Sequence, residues 1–189
     1  MSQPKKLLWI DLETTGLVAE KCVILEVAVA VTTTKLEILD EFQALVYQTG
    51  NDLLKMDDYC TKMHTSSGLV VLQEGGYLAT QESARYLVDV ERKLISFVTD
   101  HGLYDKIVVH GNSIGALDVP FLKHHMPEFA KRLHYRVCDV SSFKEYFVAR
   151  YGLEPPKKLA HRAMSDVYES VDELRFYAKY IKAPELEET

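Results

Sequence analysis

Four acids and one histidine are the residues of this chain whose types and spacing best suit chemistry. Asp11 and Glu13 follow the apolar run Leu7-Leu8-Trp9-Ile10, which favours a strand. Side chains two apart on a strand share a face, so the two carboxylates point the same way. They repel one another, and unpaired charge on a buried sheet face is costly. Thr14, Thr15 and Gly16 end the strand, which puts the acids at its rim, within reach of a ligand. A divalent cation between them relieves the repulsion, and oxygen donors of this kind suit magnesium or manganese. The alternative is a solvated strand end with two stray acids, because Asp-x-Glu is short and common.

Two further acids stand at the ends of elements. Asp118 follows the turn Gly111-Asn112-Ser113-Ile114-Gly115, just inside a helix start, and Asp166 opens the last helix. Taken singly, each is also explained as a helix-N-terminal acid favoured by the macrodipole. His161 precedes Asp166 by five residues. On a continuous helix that spacing turns the two side chains roughly 140° apart. For both to face one site, His161 must sit in the loop before the helix, with Ser165 as a possible N-cap. A histidine there titrates near neutrality, as a general base should. A surface histidine is the alternative.

The elements that position these residues follow from apolar patterning. Cys22 to Val31 reads as a fully buried strand, and Leu36 to Tyr47 as a third strand antiparallel to it across the turn Thr32–Lys35. Asn51-Asp52 suits the cap of a short helix, and Met56 to His64 a second one. Tyr59, Met63 and His64 then share a face, as a site or simply as packing. Leu69 to Thr80 reads as an irregular loop around Gly75-Gly76, and Glu82 to Asp100 as a long amphipathic helix. Ile107 to His110 is a short buried strand, and glycines in the turn after it allow close approach of a ligand. Pro120 fits the first turn of the helix that follows. Val137-Cys138 is a last short strand, and Asp139 caps a helix from Val140 to Tyr151. A loop from Gly152 to Lys158 leads to the final helix, with Val167, Val171 and Leu174 in its apolar stripe. Strands first, then helices between short strands, indicate an α/β fold with a mixed sheet flanked by helices.

Composition narrows the class. A chain of 189 residues suits one domain with a real core. Residues 7–182 are expected to form the ordered core, between short polar tails. The widely spaced Cys22, Cys60 and Cys138 argue against a disulfide framework or a zinc site and fit a reducing compartment as ordinary thiols. No stretch reaches membrane-spanning length, and Met1 to Lys6 leaves no room for a signal peptide before the first strand. The chain is expected in the cytoplasm, or in mitochondria if a presequence has been removed. A net charge of −6 speaks against a long phosphate track but permits a short anionic substrate.

Asp11-Leu12-Glu13-Thr14-Thr15-Gly16, a middle Asp118 and His161-x-x-x-x-Asp166 resemble the three motifs of the DEDDh 3′→5′ exonucleases. The gap of five matters, because relatives with a catalytic tyrosine place it where this chain has Arg162. From Leu8 to about Ile181 the chain resembles the oligoribonuclease subfamily. Met56-Asp57-Asp58, His64-Thr65-Ser66-Ser67-Gly68-Leu69, Gly111-Asn112-Ser113-Ile114-Gly115, Met126-Pro127-Glu128, Leu133-His134-Tyr135-Arg136 and Asp139-Val140-Ser141 carry that likeness in order. One departure is Ala116-Leu117 before Asp118, where family members usually have one residue.

The resemblance implies a ribonuclease H-like five-stranded mixed sheet and a single exonuclease domain. It implies two ions, Mg2+ or Mn2+, held by Asp11, Glu13 and Asp166 with help from Asp118. It makes His161 the base that takes the proton from the attacking water. Leu17 and Tyr59 would lie against the bases, with His64 close by. Tyr135 and Arg136 would reach across a homodimer to complete the partner's site, closing with Ser113 and Ser141 around a 5′ phosphate. A half-buried core aromatic is the alternative for Tyr135. The implied substrates are dinucleotides and very short single-stranded RNA, cut to 5′-mononucleotides, with no membrane involved. A DNA-trimming or proofreading relative, or a catalytically silent nucleic-acid-binding relative, are the competing readings.

Overall fold

A computed structural model describes residues 5–74, 78–155 and 162–182. Its centre is β1 (Lys6–Thr14), flanked by β2 (Ile24–Thr33), which pairs antiparallel with β3 (Ile38–Leu45). On the other side β6 (Val109–Gly111) and β7 (Cys138–Asp139) run parallel to β1. The sheet order is β3-β2-β1-β6-β7, the mixed five-stranded sheet expected from the sequence. No helix among the described residues is long and apolar enough to cross a membrane.

The period of two along β1 divides the core. Leu8 and Ile10 face one side, packing with Val27, Val29 and Val31 of β2 against α3 (Leu87–Asp100), α4 (Asp118–His125) and α5 (Pro127–Ala130). Trp9 faces the other side, with Ala28 and Ala30 against α7 (Ala163–Ala178) and the start of α6 (Val140–Tyr151). Asp11 and Glu13 are odd-numbered like Trp9, so they point to the α7 side. The register sets Asp11 opposite Ala28 and Glu13 opposite Glu26. Two alanines on β2 keep that face shallow where Trp9 and Asp11 need room.

Several local expectations shift. Thr49, not Asn51 or Asp52, caps α1 (Gly50–Leu53), its side chain accepting from the Asp52 amide. α2 (Asp58–Ser66) is capped by Asp57. The segment read as an irregular loop contains β4 (Val70–Leu72) and β5 (Leu78–Thr80), which pair as a separate small sheet. Gly75 and Gly76 lie outside the described residues. α3 starts at Leu87 rather than Glu82, because the Arg85 backbone bonds instead to Leu45 and Tyr47 at the sheet edge. Asp139 caps α6 as read, accepting from the Ser141 amide. Ser165 lies inside α7 and does not cap it. All three cysteines are free and half-buried.

The glycine that ends β6 has a structural role in the sheet. A Cβ on Gly111 would stand 2.8 Å from the Ile10 carbonyl oxygen, so only glycine lets β6 lie this close to β1. The extra residue before Asp118 is absorbed in one turn, where the amides of Ala116 and Leu117 both bond to the Ser113 carbonyl.

Candidate active site

Three acids from two elements converge at the end of β1. Ligand oxygens of Asp11, Glu13 and Asp166 all lie within 4.8 Å of one another. Asp166 reaches them from the first turn of α7, where its amide bonds to the Arg162 carbonyl at 3.1 Å. Asp118, the first residue of α4, is buried beside them. Its Oδ1 accepts the backbone N–H of Leu12 at 2.9 Å, between the two strand acids.

The electrostatics of this cluster are unfavourable without a counter-charge. Burial first, then repulsion from Asp118, Asp166 and Glu13, holds the Asp11 carboxyl well above the usual range. Burial and then Asp166 push Glu13 up to about 8, with only Arg162 opposing. Burial also lifts Asp118 to about 7, despite the amides that bond to it. A divalent cation would return all of these groups to the charged form, and a set of hard carboxylate oxygens is the donor set for one. The residues present therefore fit a divalent metal.

Asp11, Glu13 and Asp118 open onto a cleft of about 390 Å³. Leu17, from the loop after β1, and Tyr59, from the first turn of α2, stand on its wall, 76% and 68% exposed. Nothing in their own fold requires two large apolar side chains to face solvent there, so they offer surfaces to a flat apolar ligand. His64 is placed differently. Its ring is fully buried, with Nε2 2.9 Å from the Thr14 carbonyl oxygen and Nδ1 4.0 Å from Glu13 Oε2. It backs the acid strand from behind.

Ser113 and Ser141 meet beside the cleft residue Asn112. The Ser113 amide donates to Asp139 Oδ1 at 3.0 Å and to Ser141 Oγ at 2.9 Å. Ser113 itself takes a positive φ of 52°, a conformation this network enforces. Ser141 Oγ donates to Asn112 Oδ1, and Asn112 Nδ2 donates to Ser170 and Glu173 on α7. Asn112 therefore ties the end of β6 and the start of α6 to the middle of α7 through Ser170 and Glu173, a role the sequence did not reveal. Tyr135 is 80% exposed, with the Arg136 guanidinium 5.2 Å from its ring centroid, and neither residue lines the cleft of its own chain. His161 lies outside the described residues.

Two further supports have no sequence signal beyond an acid in a buried strand and a histidine on a helix. Glu26, fully buried on β2, accepts from Arg162 Nη2 at 2.7 Å and from the Ala163 amide at 3.0 Å. His125, at the end of α4, bonds through Nε2 to the carbonyls of Ala19 and Cys22 and so pins the loop that carries Leu17.

Comparison with known proteins gives consistent results. A family model described as exonuclease matches residues 8–174. Mouse mitochondrial oligoribonuclease is 38% identical over 185 residues, covering 95% of this chain and 75% of the relative. Oligoribonuclease of Corynebacterium efficiens is 41% identical over 182 residues, covering 92% and 78%. That of Photobacterium profundum is 39% identical over 183 residues, covering 94% and 96%. Among solved structures, the zinc-bound complex of E. coli exonuclease I with single-stranded DNA superposes with a TM-score of 0.68 at 12% identity. That match covers 94% of this chain but only 41% of the exonuclease I chain, and it bears on the fold alone.

Proposed function

The chain belongs to the RNase T exonuclease family and is a 3′→5′ exonuclease of the oligoribonuclease type, and on that premise we propose how its residues divide the work. The substrate is single-stranded RNA of two to a few nucleotides, released as 5′-mononucleotides. Asp11, Glu13 and Asp166 hold divalent metal, with Asp118 supporting a second ion, and Mg2+ or Mn2+ suits the oxygen donors. Bound there, the two ions supply activation of water and neutralisation of charge on the phosphate and the leaving oxygen.

His161 accepts the proton of the attacking water as the new bond to phosphorus forms. The bond to the 3′ oxygen of the preceding nucleotide breaks, and that oxygen takes up a proton from solvent. Leu17 and Tyr59 hold the bases, and the buried His64 keeps Glu13 and Thr14 in place. Ser113 and Ser141 close the 5′ end together with Tyr135 and Arg136 of a second copy, in a homodimer. The exposure of Tyr135, on a basic stretch with Lys131, Arg132 and Arg136, supports that reach. A closed end limits substrate length, in keeping with the acidic net charge. The reading places the chain in the cytoplasm, or in mitochondria as in the mouse relative's name.

The convergence of Asp11, Glu13 and Asp166 carries this reading. Turnover of a 5′-labelled dinucleotide with added Mn2+ tests it. Asp11→Ala and Asp166→Ala should each lower the rate at least about a hundredfold with unchanged circular dichroism. Normal hydrolysis by either variant would sink it.

A further inference from the structure

Glu26 is an anomaly in β2. Its neighbours Leu25, Val27, Ala28 and Val29 are buried and apolar, and it is itself fully buried. An apolar residue would be at least as stabilising at such a position, since desolvating an ion pair offsets most of its attraction. The carboxylate is nonetheless fully engaged. Oε1 accepts from Gln43 Nε2 at 2.6 Å and from Arg162 Nη2 at 2.7 Å. Oε2 accepts from Arg162 Nε at 3.2 Å and from the Ala163 amide at 3.0 Å. The guanidinium thus grips it as a fork, which fixes direction as well as distance.

What this grip locates is the start of α7. The helix has no side-chain cap of its own, and its N-cap residue is Arg162. The cap comes instead from Glu26, across the sheet face. The same glutamate stands opposite Glu13 in the strand register. Asp166 lies one turn into α7, its amide bonded to the Arg162 carbonyl. One carboxylate therefore joins the strand pair bearing Asp11 and Glu13 to the helix turn bearing Asp166.

We propose that Glu26 and Arg162 are positioning residues for the metal site: their ion pair sets where α7 begins and so holds Asp166 within reach of Asp11 and Glu13. The proposal rests on the reading of those three acids as metal ligands. Neither positioning residue touches the metal. Both oxygens of Glu26 are used by protein donors, and Arg162 is cationic.

The test measures Mn2+ binding to the full chain by titration calorimetry, without substrate. Glu26→Gln keeps the shape but cannot accept on both sides. Arg162→Lys keeps the charge but loses the fork, and it serves if Glu26→Gln does not fold. Either variant should weaken Mn2+ binding about tenfold or more, and dinucleotide turnover should become saturable only at correspondingly higher Mn2+. In an Asp166→Asn background, Glu26→Gln should cost nothing further, because residues acting through one ligand are not additive. Unchanged Mn2+ affinity in a folded variant, or the same loss with Asp166→Asn present, overturns the proposal. Failure of the unaltered chain to bind Mn2+ would instead overturn the metal-site reading itself.

Discussion

Asp118 Oδ1 accepts the Leu12 amide at 2.9 Å, so the fourth acid of the site holds the strand that carries the first two. This bond separates its anchoring role from its charge. Asp118→Asn keeps an acceptor for Leu12 and removes the repulsion on Asp11. Without metal at pH 8 it should melt at or above the unaltered chain. Asp118→Ala loses the acceptor and leaves a buried amide unpaired, at about 1–3 kcal/mol. It should melt lower, and both variants should lose at least about a hundredfold in turnover. Equal melting of the two, by circular dichroism, would refute the anchoring role.

The raised carboxylates make metal-free stability fall with pH. Glu13 sits at about 8 in the folded chain against an ordinary 4.5. Between those values the folded state holds a proton that the unfolded state has lost, so unfolding grows easier as pH rises. In EDTA, stability should be greatest near pH 5 and fall by on the order of a few kcal/mol by pH 8. That corresponds to a melting temperature lower by about 5–10 °C. Excess Mn2+ at pH 8 should restore it. A flat metal-free profile would contradict the crowding described for the cluster.

Base contact should be concentrated in Leu17 and Tyr59. Stacking on an aromatic is worth about 1–3 kcal/mol per base. Tyr59→Ala should raise KM for a dinucleotide about tenfold with kcat little changed, and Leu17→Ala should do the same to a smaller degree. His125→Ala, which frees the Leu17 loop, should resemble Leu17→Ala. Steady-state kinetics with a fluorescent dinucleotide separates these outcomes.

A closed 5′ end predicts strong length dependence. Rates on two-, five- and twenty-nucleotide RNA should fall steeply with length. Tyr135→Ala should lower turnover of the shortest substrate without disturbing the fold. If Tyr135 serves the partner's acids, mixing inactive Asp11→Ala with Tyr135→Ala chains should restore activity by forming one intact site per mixed dimer. No recovery after confirmed subunit exchange would argue for action within one chain.

Much of the site was legible because its chemistry is local. The two-residue spacing of Asp11 and Glu13 fixes their common face once β1 is recognised, and Asp139 advertises its cap. The antiparallel pairing of β2 and β3 follows from a continuous apolar run, a short turn and an alternating strand. The supports were not legible, because each depends on a partner far along the chain. Glu26 in isolation is a misplaced charge, and only the fold brings Arg162 and Ala163 to it. His64 has helical spacing with Tyr59 and Met63, yet burial turns its ring to Thr14. β4 and β5 leave little trace in the sequence because three-residue strands carry little periodicity. α3 starts later than its amphipathic pattern because Arg85 exchanges helical bonds for sheet-edge ones.

The alanines at 28 and 30 place a limit on how this enzyme can drift. Ala28 faces Asp11 across the strand pair, and Ala30 faces Trp9. A valine or isoleucine at 28 would satisfy every rule for a buried strand and still crowd the cluster it shares with Ala163, Met164 and Val167 at the start of α7, the turn that carries Asp166. At position 28, then, even an aliphatic replacement that looks conservative on paper should be damaging.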